Sequence, residues 1–335
     1  MSLNIYDIAK LAGVSIATVS RVVNDSPKVS QKTKDKVLAV MAANDYTPNV
    51  FARGMSLNSM KTAGIICPDV SDHYMAKAVA YLEKNLRSYG YDCILYCSGY
   101  EQESKETAVQ LILQKRIDAL ILVGSNYAGD ARYGEDVSYI KKASEEVPVF
   151  LMNGCIEGKN IYSVITNDYQ AVYDSVSELI QAGRKKILFI SDSYSYSAMN
   201  KQRGYENALK AHGLPVLGER KIYMKNDIHM VRDLLLARRD LDFDAVVASE
   251  DGIAVGVLKY AKARMLSVPE DLSIIGYNNS ELSIGCEPEL TSVDGRGEIL
   301  CKVTIDSMME VLGGKKIDPL MRIDCRLVKR CTTDF

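Results

Sequence analysis

The stretch Ile5-Tyr6-Asp7-Ile8-Ala9-Lys10-Leu11-Ala12-Gly13-Val14-Ser15-Ile16-Ala17-Thr18-Val19-Ser20-Arg21-Val22-Val23-Asn24 decides how the chain is read. Asn4 and Asp7 can cap a helix start, and Ile5, Ile8, Ala9, Leu11 and Ala12 recur at helical spacing until Gly13 breaks the run. Ser15 can cap a second helix two residues later. Ile16, Val19, Val22 and Val23 are its apolar positions, while Ala17, Ser20 and Arg21 turn outward. The spacing predicts a helix, a tight turn and a second helix. A third runs from Ser30 or Gln31 to Asn44, with Val37, Val40 and Met41 inward and Lys32, Lys34 and Lys36 near its start.

A helix exposing small residues and one arginine fits a DNA major groove roughly 12 Å wide. Arg21 can fork to a guanine, and Ile16 and Ala17 can touch thymine methyls. Thr18, Ser20, Lys32 and Lys34 are expected phosphate contacts, which position the helix without reading sequence. Charge agrees: residues 1–61 hold eight basic and four acidic side chains, a net of +4, whereas the remainder carries −6 of the overall −2. The alternative is a small protein-docking domain. Pro48 then opens Asn49-Val50-Phe51-Ala52-Arg53-Gly54-Met55-Ser56, in which Asn49 can cap a helix. The segment is shorter than the roughly 12 residues that even marginal isolated helices need, so it should fold only against a partner. With two copies paired over a minor groove, Met55 is the apolar wedge and Arg53 a phosphate contact. A linker without a binding role is the alternative there.

The 335 residues, 47 % of them hydrophobic, are about two domains' worth. No transmembrane run or secretory signal is present, and a cytoplasmic protein, nucleoid-associated when on DNA, is expected. Eight cysteines without a CxxC pair read as free thiols, and three scattered histidines argue against a metal centre. No nucleophile elbow, P-loop or GxGxxG fingerprint occurs, so neither an enzyme nor a cofactor is expected. Asp69, Glu250 and Asp251 suit ligand hydroxyls better than catalysis.

From Thr62 the pattern alternates. Strands are predicted at 63–67, 92–96, 119–123, 147–152, 186–190, 245–248 and 272–275, and helices at 75–86, 105–114, 169–182, 202–211 and 253–263. Two βαβ arrays make two open parallel-sheet lobes, and ligands in such sheets bind beyond the carboxyl ends of the strands, here in an interlobe cleft. Polar residues follow those strand ends, among them Asp69, Ser125, Asn153, Asp192, Glu250 and Asn278. They suit a polyol, and Tyr74, Tyr194, Tyr196 and Tyr277 are available to stack on a sugar, although each ring can equally belong to a core.

The head stretch quoted above, continued by Val29-Ser30, Lys36-Val37, Tyr46-Thr47-Pro48-Asn49 and Ala52-Arg53, closely resembles the signature of the LacI/GalR family of bacterial transcription regulators. Residues 268–277 and 288–293 are similar to late body motifs of that family. The resemblance implies an N-terminal all-α helix-turn-helix head plus an α/β periplasmic-binding-protein-like body of two parallel-sheet lobes. The expected domains are the head at 1–47, a hinge helix and linker at 48–60, and an effector-binding and dimerisation body at 61–335. Lobe 1 is expected at about 61–161 and 291–320 and lobe 2 at about 162–290 and 321–335, with crossovers near 161–164, 289–292 and 319–323.

The resemblance further implies a homodimeric repressor on double-stranded, pseudo-palindromic operator DNA, controlled by a small-molecule effector such as a carbohydrate. A phosphocarrier corepressor, or a ligand receptor without DNA function, are the alternatives. Base-reading positions of the family match Ile16, Ala17 and Arg21, and its minor-groove leucine falls at Met55. Its ligand positions correspond to Tyr74, Lys201, Glu250 and Asn278, the last three departing from the commonest arginine, asparagine and aspartate. Lys201 gives up a rigid fork, and Asn278 gives up a charge, so a modified or amino sugar suits the set as well as a simple one.

Overall fold

The computed structural model describes residues 3–23, 26–46, 59–129 and 136–335. The chain divides into two compact units, Met1–Thr62 with Arg116–Asp118, and Ala63–Lys115 with Ala119–Phe335. Asn49, Arg53 and Met55 lie outside the described residues.

In the first unit, α1 (Ile5–Ala12) begins with a reciprocal cap. The Asn4 side chain accepts from the Tyr6 and Asp7 amides at 2.9 and 3.2 Å, and Asp7 accepts from the Asn4 amide at 2.9 Å. It ends at Gly13, whose φ of 62° is left-handed and favours glycine. Ser15 Oγ accepts from the Thr18 amide at 3.1 Å at the start of α2 (Ile16–Val23), and Ser30 caps α3 (Gln31–Ala43). Ile8, Ala9, Ala12, Val19, Val22, Val37 and Met41 close a small core between the three helices. No helix among the described residues is long and apolar enough to cross a membrane.

The second unit carries two six-stranded sheets. The first contains β1 (Thr62–Cys67), β2 (Asp92–Cys97), β3 (Ala119–Val123), β4 (Val149–Met152), β5 (Ile161–Thr166) and β11 (Leu320–Ile323), in the order β11-β5-β4-β3-β1-β2. The second contains β6 (Ile187–Ser191), β7 (Lys221–Tyr223), β8 (Ala245–Ala248), β9 (Ser273–Tyr277), β10 (Thr291–Asp294) and β12 (Arg326–Val328), in the order β12-β10-β9-β8-β6-β7. The pairs β1–β3, β3–β4, β4–β5 and β5–β11 are parallel, as are β7–β6, β6–β8, β8–β9 and β9–β10; β12 runs antiparallel to β10.

The helices of this unit are α4 (His73–Ser88), α5 (Gln102–Leu113), α6 (Ser138–Glu146), α7 (Asp168–Gln181), α8 (Tyr196–Ala211), α9 (Ile228–Ala237), α10 (Asp251–Ala263), α11 (Glu281–Gly285) and α12 (Gly297–Leu312). Strand β3, Ala-Leu-Ile-Leu-Val, is buried throughout, as a central parallel strand covered on both faces must be. In the second sheet the faces separate cleanly. Leu188 and Ile190 pack with Val231, Leu235, Ile253 and Val257 from α9 and α10, whereas Ile187 and Phe189 pack with Val176, Leu179, Tyr205 and Leu209 from α7 and α8.

The lobe crossovers differ from the sequence expectation. Ile161–Thr166 is ladder along its length, between β4 on one side and β11 on the other, so the chain leaves the first sheet after Thr166. Residues 291–294 belong to the second sheet, Thr291 standing opposite Ile275, and residues 320–323 to the first. The second and third crossings therefore fall after Asp294 and after Ile323. A strand cannot change sheets until its backbone hydrogen bonds are satisfied, which moves each crossing past the end of its strand.

Helices α7 and α8 cross closely at Gly204, where a Cβ would collide with the Tyr169 carbonyl oxygen and press on the Tyr173 amide. Substitution Gly204→Ala gains up to about 1 kcal/mol of helix propensity but overpacks a backbone contact. A net destabilisation of about 1–3 kcal/mol is expected in urea unfolding; an unchanged midpoint contradicts this packing.

Candidate functional site

In the head, burial of Val19 and Val22 leaves the opposite face of α2 in solvent. Ile16 is 40 % exposed, and Ala17 and Arg21 are exposed beside it. Ile16, although an apolar position of the helix, thus lies outside the head core. The Thr18 hydroxyl is 2.9 Å from Ser15 Oγ and takes part in the cap, and Ser20 is half-buried. Lys32, exposed, and Lys34, half-buried, sit in the first turn of α3.

The cleft is built at the carboxyl ends of the strands of both lobes. Asn153, just past β4, adopts a φ of 60°, which asparagine tolerates better than most residues. Its amide donates to the Tyr74 hydroxyl at 2.8 Å, and its Oδ1 accepts from the Thr166 amide at 3.1 Å. Asp72 caps the helix that carries Tyr74, accepting from the Met75 amide at 2.9 Å. Burial pushes the Tyr74 hydroxyl well above the usual phenol range. Asp69 instead closes a local turn on the Ser71 amide at 2.8 Å, and that bond holds its carboxyl below the ordinary value.

On the other lobe, Lys201 projects from α8 and is only 5 % exposed. Its Nζ donates to the Ser249 carbonyl at 3.0 Å and lies 3.6 Å from the centre of the Tyr277 ring. Tyr277 is 2 % exposed and is a core ring, with its hydroxyl donating to Asp168 at 2.5 Å. The Asn278 amide donates to Glu250 Oε2 at 2.5 Å, and Ser249 Oγ donates to Asp192 at 3.0 Å. Burial raises the pKa of both Glu250 and Asp192, Lys201 partly offsetting it in each case. The Tyr194 ring lies against Tyr223, tilted by 33° with ring centres 4.4 Å apart. Asp251 is structural: it accepts from Ser292 Oγ at 2.6 Å and from the Ser280 amide and hydroxyl at 2.6 and 2.8 Å.

Among the described residues, two side-chain pairs join the lobes across the cleft. Ser125, just past β3, donates to Ser195, the cap of α8, at 2.8 Å, and Lys77 of α4 pairs with Glu281 of α11 at 2.9 Å. The structure therefore gathers Tyr74 and Asn153 on one wall and Lys201, Glu250 and Asn278 on the other, with Ser125 bridging. It leaves Asp69 in its own turn and Tyr194 against a neighbouring ring. Among the described residues no ion pair joins Lys201 to Glu250, and none form a cluster able to hold a metal. Asp192 is among the residues expected beyond the strand ends, whereas nothing in the residue order marks Asp168.

Residues 60–331 match the family described as periplasmic binding proteins and sugar binding domain of LacI family, and residues 4–49 match bacterial regulatory proteins, lacI family. An HTH-type transcriptional regulator of Lachnoclostridium phytofermentans is 49 % identical over 99 % of this chain and 100 % of its own length. The catabolite control protein A of Priestia megaterium is 37 % identical over 88 % of this chain and 87 % of its own. In fold, the Lac repressor dimer solved with operator and the anti-inducer ONPF superposes with a TM-score of 0.87, at 24 % identity, over 99 % of both chains. A helix-turn-helix head, two lobes of parallel-dominated sheet and these matches together make the chain a member of the LacI family, a DNA-binding transcriptional regulator with a sugar-binding-type body.

Proposed function

We propose that this chain is a homodimeric repressor whose affinity for a pseudo-palindromic operator is set by a small polyol held between its lobes. The observation that carries this reading is the Ser125–Ser195 hydrogen bond across the cleft. A ligand entering there must replace or bridge that contact, so its occupancy changes the relative stability of closed and open lobes. Two sites acting on one two-state element constitute allostery, and the coupling equals the ligand's difference in affinity for the two states. In this account Tyr74, Asn153, Ser125, Lys201, Glu250 and Asn278 form the ligand walls, with Asp69 and Tyr194 nearer the rim. Ile16, Ala17 and Arg21 read bases, while Thr18, Ser20, Lys32 and Lys34 meet phosphates.

Segment 48–60 transmits the change of lobe angle to the heads. Asn49 starts it, Arg53 meets phosphate, and Met55 enters the minor groove, each assigned from sequence. Operator titration with and without ligand tests the sign: weaker binding with ligand is induction, and tighter binding is corepression, as a phosphocarrier partner would also produce.

Substitution Arg21→Ala is expected to weaken operator binding by about 1–3 kcal/mol and relax specificity at one position, whereas Lys32→Ala weakens all duplexes alike and lowers the salt slope by about 1. Fluorescence anisotropy over a salt series separates the two, and equal salt slopes would contradict the division of roles. Met55→Gly is expected to lower operator affinity severalfold while calorimetric ligand affinity stays unchanged. Undiminished operator binding by that variant removes Met55 from the mechanism.

A further inference from the structure

The cleft gathers more carboxyl groups than it has cations to meet them. Glu250 and Asp192 stand at the ends of β8 and β6, and Asp72 stands at the opposing helix start. Asp72 and Asp192 both make ionisation of Glu250 harder, and Asp72 does the same to Asp192. Lys201 is the positive group acting on both, yet its Nζ is already held by the Ser249 carbonyl and covered by the Tyr277 ring. Glu250 receives only an uncharged donor, the Asn278 amide on Oε2, and its Oε1 has no hydrogen-bond partner among the described residues. Asp192 receives the Ser249 hydroxyl on Oδ1, and among the described residues no other side chain donates to it. A half-buried carboxylate whose second oxygen has no protein donor is met most strongly by a ligand donor that also carries positive charge. An anionic ligand would meet three carboxyl groups instead.

We propose that the cleft's ligand is a polyol bearing a protonated amine, of the amino-sugar class, whose ammonium group sits against Glu250 and Asp192. This rests on the reading of the cleft as the effector site. The remaining hydroxyls of such a ligand meet Asn153, Ser125 and Asn278. The geometry makes Glu250 the residue that discriminates amine from hydroxyl at one ring position, and it disfavours sugar phosphates by like-charge repulsion.

The test is isothermal titration of the full-length chain with matched sets: glucosamine, galactosamine and mannosamine against glucose, galactose and mannose, their N-acetyl derivatives and their 6-phosphates. In at least one set the amine is expected to bind about tenfold or more tightly than its hydroxyl and N-acetyl counterparts, a difference of about 1.4 kcal/mol, and the phosphate not to bind. Glu250→Gln and, separately, Asp192→Asn are expected to collapse the amine-to-hydroxyl ratio, and the wild-type ratio decides the matter should either variant fail to fold. A hydroxyl, N-acetyl or phosphate member binding as tightly as the amine overturns the amine assignment and leaves the carbohydrate cleft standing, as does an unchanged ratio in folded Glu250→Gln. Binding of no member overturns both.

Discussion

The body is organised around one buried carboxyl group. Asp168, 4 % exposed, opens α7 directly after the first crossover and accepts three hydroxyl groups: Tyr277 at 2.5 Å, Thr166 at 2.6 Å and Ser197 at 2.6 Å. An acid buried there without such donors would cost several kcal/mol, so the three elements that supply them are held in register. Thr166, through its backbone amide, fixes Asn153, and Asn153 orients Tyr74. Tyr277 covers Lys201, and Lys201 ties down the Ser249 carbonyl next to Glu250. Both cleft walls are thus suspended from one junction between the lobes.

This arrangement suits a switch. Among the described residues, the polar side-chain pairs across the cleft are Ser125 with Ser195 and Lys77 with Glu281, and the second, exposed pair is worth little in water. Each wall is held by hydrogen bonds of its own, while these two pairs hold the closure between them. A ligand needs to supply only a few kcal/mol of differential affinity to move such an equilibrium decisively. The head adds the other half of the device, a helix with one face in its own core and the other uncovered.

Much of this was legible from residue order, and the exceptions have physical causes. The caps at Asn4, Ser15 and Ser30 and the break at Gly13 are local features, so the head helices could be read almost to the residue. Strands β3 and β8 are continuous apolar runs and were equally plain. Helix α8 starts at Tyr196, six residues before the predicted 202, because the polar Asn200 and Lys201 interrupt its apolar spacing. The crossovers were placed inside strands whose ladder partners only the folded sheet supplies. In the cleft, Tyr74, Asn153, Glu250 and Asn278 announce themselves by standing at strand or helix ends. Asp168 does not, because its role depends on Tyr277, 109 residues away. Lys201 enters only through the family resemblance, and its engagement with a ring and a carbonyl depends on Tyr277 and Ser249, far away in the chain.

The most direct test is reciprocity. Operator affinity of the full-length chain is measured at saturating and zero concentration of the tightest-binding sugar of the matched sets, and the affinity for that sugar is measured with and without operator. The account predicts that both affinities shift by one common factor of about fivefold or more, since coupling between two binding sites is symmetric. Operator and sugar affinities that are each indifferent to the other ligand would contradict it.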